Sequence, residues 1–136
     1  MDEAARRALE ITPQSSARDR TVDITTIGAR TGSPRRIETW FYRAGDEVYL
    51  TGQPARRDWY ANLLATPEFT FHLKNGVVAD LPAVATPITD TEQRRRIFAE
   101  ILAGFSAPGN PTGMAREAGR LEAWVHGSPL MLVDFA

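Results

Sequence analysis

A turn rich in glycine and arginine, lying between two alternating runs, constrains the fold of this chain more than any other stretch. Larger or β-branched side chains alternate with polar ones from Val22 to Thr26 and again from Ile37 to Tyr42. Alternation with a period of two is typical of strands that bury one face. The connecting segment, Gly28–Arg36, contains two glycines and a proline, so the whole stretch predicts a β-hairpin.

The same turn carries groups that bind anions. Arginine forks match phosphate and carboxylate oxygens, and Arg30, Arg35 and Arg36 all lie in this segment. Gly28 and Gly32 allow a ligand to approach backbone N–H groups closely. We therefore interpret the turn as an anion-binding hairpin. A solvated turn whose arginines serve only solubility is the alternative that spacing alone leaves open.

Further short strands follow the hairpin. The dipeptide Asn75-Gly76 predicts a type I′ turn between two of them, and Pro82 and Pro87 predict that the outgoing strand is an edge strand or is bulged. The predicted strands are Thr21–Ile27, Arg35–Arg43, Glu47–Thr51, Phe69–Lys74, Val77–Ala85 and Leu130–Phe135. Strands that follow one another through short turns favour an antiparallel sheet.

Helical periodicity interrupts the strands in two places. Helices are predicted near residues 57–65 and 90–105, the second after a capping sequence at Thr89–Glu92. A short, weakly amphipathic helix at Glu3–Glu10 is expected to pack loosely, and the basic run Arg94–Arg96 is expected to form a solvated face. The prediction is one α+β domain over residues 1–136: a helix and connector over 1–20, then a barrel-like unit over 21–136.

Composition narrows the classes of function. The 136 residues contain no cysteine, two histidines far apart in sequence, and a formal net charge of −1. These features disfavour a metal site and a nucleic-acid partner. No apolar run reaches the length of a membrane span or a signal peptide, so we expect a cytoplasmic protein. Nucleophile, P-loop and dinucleotide motifs are absent.

Aromatic and basic residues form the remaining candidate site. Trp40 lies on a predicted strand, and Arg56, Arg57, Trp59 and Tyr60 lie at the start of a predicted helix. Such a group can frame a flat anionic ligand. Trp59 also has the spacing of a core residue, which we favour for that side chain.

The ordered set of motifs resembles the deazaflavin-dependent nitroreductase family of oxidoreductases. The resemblance rests on Thr25-Thr-Ile-Gly-Ala-Arg-Thr-Gly-Ser-Pro-Arg35, Trp40-Phe41, Gly45-Asp46, Trp59-Tyr60-x-Asn62-Leu63 and Ala65-x-Pro67. It spans about residues 22–105. It implies a split β-barrel, related to barrels that bind flavin mononucleotide (FMN), which holds reduced coenzyme F420, an 8-hydroxy-5-deazaflavin. The coenzyme would deliver hydride to a nitro compound, a quinone or a similar acceptor.

The resemblance also implies roles for individual residues. A turn that holds the phosphate tail corresponds to Arg30, Thr31, Gly32, Pro34 and Arg35. An aromatic residue beside the deazaflavin ring corresponds to Trp40, and the strand end along the ring corresponds to Thr51, Gly52 and Gln53. Arg56, Arg57, Trp59 and Tyr60 complete the expected cofactor-binding set, with Trp59 and Asn62 in the helix of the motif.

This chain departs from the family pattern in three places. Ala29 stands where members have a second basic residue, and the loop after Gln53 is short. Members also have tyrosines after the long helix, where this chain has Phe105 and Met114. Two alternatives therefore stay open: FMN as the cofactor, or a barrel that binds a flavin, haem, fatty acid or other anion without catalysis. Strand edges would allow a homodimer, and a monomer fits the sequence equally well.

Overall fold

The computed structural model describes residues 1–136 and contains one closed antiparallel barrel. The order around the barrel is β1-β2-β3-β6-β5-β4. The strands are β1 (Thr21–Ile27), β2 (Pro34–Ala44), β3 (Glu47–Thr51), β4 (Glu68–Leu73), β5 (Ala79–Pro87) and β6 (Leu130–Phe135). Each run predicted as a strand is a strand, and the α+β barrel class is confirmed.

Five helices surround the barrel, and none has the length and apolar character needed to cross a membrane. They are α1 (Glu3–Ala8), α2 (Ala17–Arg20), α3 (Asp58–Ala65), α4 (Thr91–Phe105) and α5 (Leu121–Gly127), with a 3₁₀ helix at Ala115–Arg120. Both helices predicted in the body of the chain are present within two residues of their predicted bounds. The sequence does not predict the 3₁₀ helix and α5, because both are short and Gly119 lies within the first of them.

Helices close the two ends of the barrel. Leu9 follows α1 and is 4% exposed within the barrel core, and its carbonyl accepts a 3.0 Å hydrogen bond from Arg43 near the end of β2. The prediction that the N-terminal helix packs loosely is therefore wrong. At the opposite end, Trp59 and Leu63 of α3 pack into the same core. The apolar interior is thus shielded at both ends.

A second apolar cluster covers the outer face of β2, β3 and β6. Tyr42 packs edge to face against Phe105 of α4, and Phe98 packs against Trp124 of α5. Arg94 lies beside this cluster and donates to three carbonyls, those of Val125, Ile88 and Ser128. The expectation of a solvated Arg94 is wrong, because its guanidinium joins α4 to the segment before β6.

The hairpin between β4 and β5 differs from the prediction in two respects. β5 pairs with β4 on one side and with β6 on the other, so it is not an edge strand. Pro82 is tolerated because it lies just beyond the β5–β6 ladder. Its carbonyl accepts a hydrogen bond from the N–H of Ala136, and no N–H is needed at this position. The turn is not type I′, since Gly76 has a positive φ and Asn75 does not. The Asn75 side chain instead donates to the carbonyl of Arg18.

Candidate functional site

Although the barrel is closed, the first half of β2 pairs on one side only, and we call this free edge together with the loop 52–57 the split. Over Pro34–Trp40 this strand pairs with β1, but its pairing with β3 begins only at Phe41. After Thr51 the chain leaves the sheet and forms the loop 52–57 instead of continuing the ladder. One edge of β2 therefore carries unpaired backbone groups, and it lies next to the loop that leads into α3.

The turn 28–33 at the start of this edge is held by its own hydrogen bonds. The N–H of Gly28 donates to the carbonyl of Ser33 at 2.8 Å, and the N–H of Gly32 donates to the carbonyl of Gly28 at 2.9 Å. Gly32 has a φ of 71°, which favours glycine. The backbone N–H groups of both glycines are thus occupied inside the turn. Those of Arg30 and Thr31 make no hydrogen bond within the protein.

Asn62 fixes this turn to α3. Its side-chain oxygen accepts the N–H of Ala29 at 2.9 Å, and its amide donates to the hydroxyl of Thr26 at 3.1 Å. Asn62 is 8% exposed and Thr26 is 1% exposed. The sequence identified Asn62 only through the family motif. A polar residue on the apolar stripe of a helix was the available signal of such an internal contact.

The arginines around the split fall into two groups. The side chains of Arg30, Arg35 and Arg56 are exposed and have no carboxylate or carbonyl partner within the protein. Arg36, in contrast, forms an ion pair with Asp23 at 3.0 Å. The guanidinium groups of Arg30, Arg35 and Arg56 are therefore free to bind an external anion, whereas that of Arg36 is already paired with a carboxylate.

Arg57 has a different position from the other arginines. Its guanidinium donates to the carbonyl of Arg56 at 3.1 Å and to the carbonyl of Gln53 at 3.2 Å. The same group lies so close to Gly52 that a Cβ atom there would be 3.3 Å from Nη2. Arg57 therefore holds the loop 52–57 in its bend, while Gln53 itself is exposed.

The aromatic candidates pack against two different apolar clusters. Trp40 is half-buried beside the cluster formed with α4, with its ring centroid 6.4 Å from that of Tyr42. Tyr60 is half-buried and packs edge to face on Trp59 at 6.2 Å. Trp59 itself is 5% exposed within the barrel core, the position expected of a core anchor. Thr51 is also buried, and its hydroxyl donates to the carbonyl of Pro129 at 2.5 Å.

A separate hydrogen-bonded chain crosses the outside of the barrel. Nε2 of His72 lies 2.7 Å from the hydroxyl of Thr25, and Nδ1 lies 2.7 Å from the carboxylate of Asp80. The hydrogen bond to His72 lowers the pKa of Asp80 from its usual value. Strand register brings these residues together, which sequence spacing did not indicate. No group of three or more His, Cys, Asp or Glu residues is arranged to hold a metal ion.

The family was established by comparison with known proteins. A sequence profile of the F420H(2)-dependent quinone reductase family matches residues 6–108, which include the turn, the split and α3. The chain belongs to this family. It is therefore an oxidoreductase that uses coenzyme F420 as its cofactor. No curated protein sequence is detectably similar to the chain.

Solved structures share the fold of this family member at low identity. A conserved hypothetical protein of Mycobacterium tuberculosis has 20% identity and a TM-score of 0.65, with coverage of 99% of this chain and 81% of that one. An F420-H2 dependent reductase has 17% identity and a TM-score of 0.57, with coverage of 85% and 94%. A haem storage protein of Vibrio cholerae has 12% identity and a TM-score of 0.55, with coverage of 86% and 82%.

Proposed function

We propose that this protein transfers hydride from reduced coenzyme F420 to a small electron-poor acceptor, a quinone or a nitro compound, and that the coenzyme binds along the split of the barrel. The observation that supports the location is that Arg30 on the turn, Arg35 at the start of β2 and Arg56 on the loop after β3 are exposed and have no partner within the protein. Unpaired arginine forks in one region favour a multiply charged anionic ligand.

The donor set fits the phosphate-bearing tail of a deazaflavin. Arg30 and Arg35 would hold the tail from the turn, together with the unoccupied N–H groups of Arg30 and Thr31. Ala29 supplies no second basic group in the turn, and Arg56 would supply that charge from the loop on the other side of the split. In this arrangement the short loop 52–57 would bring one cation to the phosphate tail from a different direction, and the number of cations that contact the tail would stay the same.

Trp40 and Gln53 would border the ring of the coenzyme. Trp40 is half-buried and packs against the cluster that contains Tyr42, and Gln53 is exposed on a loop held by Arg57. When bound, reduced F420 supplies the hydride. The protein then needs to orient the ring and the acceptor and to limit access of water, which agrees with a site that contains no paired acid and base.

The acceptor would meet few aromatic side chains beyond the ring. Phe105, one of two large residues that replace the family's tyrosines, is 2% exposed in the cluster with Tyr42 and cannot cover a substrate. Met114 is half-buried beside the same cluster. We therefore expect broad acceptance of small quinones rather than tight selection of one acceptor.

A matched pair of arginine variants tests the location. Fluorescence titration with F420 should show saturable quenching, and Arg35→Ala should weaken binding by about 1.5 to 3 kcal/mol, the contribution of a hydrogen bond to a charged group. Arg36→Ala is the control, because its ion pair with Asp23 already satisfies it. Equal losses in the two variants would contradict the assignment of the split.

Turnover is tested separately from binding. Anaerobic mixing with reduced F420 and a benzoquinone should oxidise the coenzyme at a rate proportional to enzyme concentration. Quenching without oxidation by any quinone or nitroarene would favour a binding protein that does not catalyse. A bound yellow ligand with the mass of FMN in the purified protein would favour FMN instead.

A further inference from the structure

A small cavity lies between the N-terminal connector, the end of β2 and the C-terminal half of α4. Its volume is about 170 Å³. It is lined on the connector by Ile11, Thr12 and Pro13, and none of the residues assigned to the split lines it. An apolar cavity of about 150 Å³ is large enough for benzene, so this cavity has room for a ligand with one small ring.

Two largely buried side chains line the cavity, and each has a donor atom that finds no partner within the protein. Arg20 is 6% exposed; its Nε and Nη2 donate to carbonyls of the connector, at Thr12 and Ser15, and its Nη1 has no acceptor within the protein. Tyr42 is 5% exposed, and its hydroxyl makes no hydrogen bond within the protein. Burial raises the pKa of Tyr42 to about 12, so the phenol remains a neutral donor near pH 7. Both donor atoms are therefore available to a ligand in the cavity.

The charges around the cavity favour an anion. Arg20 and Arg43 are cationic, and Nη1 of Arg43 is used by the carbonyl of Leu9. Glu100 is the acidic residue of the lining, and its carboxylate accepts the backbone N–H of Gly45. Two cations and one anion leave a surplus of one positive charge. A ligand with a single negative charge would balance it.

We propose that this cavity binds a small monocarboxylate about the size of benzoate, with the carboxylate on Arg20 and Tyr42. The apolar side chains of Ile11, Ile101 and Phe105 line the same space and would enclose the ring. The inference does not depend on where F420 binds, because the cavity uses a separate set of residues.

The test is a titration of the purified full chain with benzoate, followed by backbone amide chemical shifts. Saturable shifts should centre on Ile101 and Phe105. Tyr42→Phe keeps the ring and should weaken binding about tenfold, since it removes a hydrogen bond to a charged group. Benzyl alcohol, which lacks the charge, should bind more weakly than benzoate.

Gly104 provides a second variant that leaves both donors intact. It lines the cavity, and a Cβ atom at this position would lie 3.8 Å from Cγ of Pro13. Gly104→Leu should therefore fill the space and abolish benzoate binding. Arg18→Ala is the control, because Arg18 lies on the same helix as Arg20, is exposed and does not line the cavity. Absence of saturable shifts in the wild type, or unchanged affinity in Tyr42→Phe or Gly104→Leu, would overturn the proposal.

Discussion

Replacing Asn62 with alanine should both destabilise the barrel and loosen the turn that precedes β2. The substitution removes the two hydrogen bonds, of 2.9 Å to Ala29 and 3.1 Å to Thr26, that connect α3 to the turn. Each contributes about 1 kcal/mol net. The Thr26 hydroxyl, 1% exposed, would be left without its donor at an additional cost of about 1 kcal/mol. We expect a loss of about 3 kcal/mol in the free energy of unfolding.

Urea denaturation measures this loss directly. A loss of about 3 kcal/mol leaves a domain of ordinary stability, about 5 to 15 kcal/mol, still folded. The m-value should therefore stay unchanged while the midpoint falls. Leu64→Ala on the same helix is the control, because Leu64 is 54% exposed, and surface substitutions change stability by about 0.5 kcal/mol or less.

Two further measurements distinguish the loss of the Asn62 hydrogen bonds from a general loss of packing. Hydrogen exchange of the Ala29 amide should accelerate in Asn62→Ala more than exchange of amides in the barrel core. A double-mutant cycle with Thr26→Val should give a coupling of about 1 kcal/mol between the two side chains. A loss below about 1 kcal/mol with the Ala29 amide still protected would refute the view that Asn62 holds the turn.

Three other substitutions test contacts that only the structure revealed. Arg94→Met should lose about 2 to 3 kcal/mol in thermal denaturation because three carbonyls lose a charged donor, whereas the exposed Arg96→Met should change little. Ser128→Ala should stabilise the protein by about 1 kcal/mol, since the buried Ser128 hydroxyl has no partner; any destabilisation contradicts this. The hydrogen bond from Arg120 lowers the pKa of Glu117 below 4.5. The ionised Glu117 carboxylate therefore contributes to the free energy of unfolding above pH 4.5, and this contribution is lost at lower pH. The stability difference between wild type and Glu117→Gln should shrink below that pH.

The strands were predictable because their periodicity is local. Alternating side chains on β1 and β4 indicated both the strands and the faces they bury, and Val22, Ile24 and Phe71 do lie in the barrel core. On β2 the alternation indicated the strand but not one buried face, because Ile37 is exposed and both Phe41 and Tyr42 are buried. The long helix α4 was equally clear from its cap and apolar stripe. The apolar spacing of Trp59 and Leu63 likewise indicated a helix that packs into the core.

The predictions from the sequence are wrong where residues distant in the chain determine the environment of a side chain. The basic run predicts a solvated Arg94, but two of its three acceptors, the carbonyls of Val125 and Ser128, lie 31 and 34 residues later in the chain. Leu9 is buried because the barrel end offers an apolar surface that no local pattern reveals. Pro82 is acceptable in an internal strand because β6 ends beside it. Each outcome depends on which segments meet, and that information is not local.

By itself, the sequence determined the class of fold, the position of the arginine turn and the family, because strand period, turn residues and ordered motifs are local properties of the chain. Only the tertiary structure decided which arginines remain available. Arg36 is neutralised by Asp23, whereas Arg35, its neighbour in sequence, has no partner. The physical reason is that adjacent residues on a strand point to opposite faces, so their charges meet different surroundings once the barrel closes.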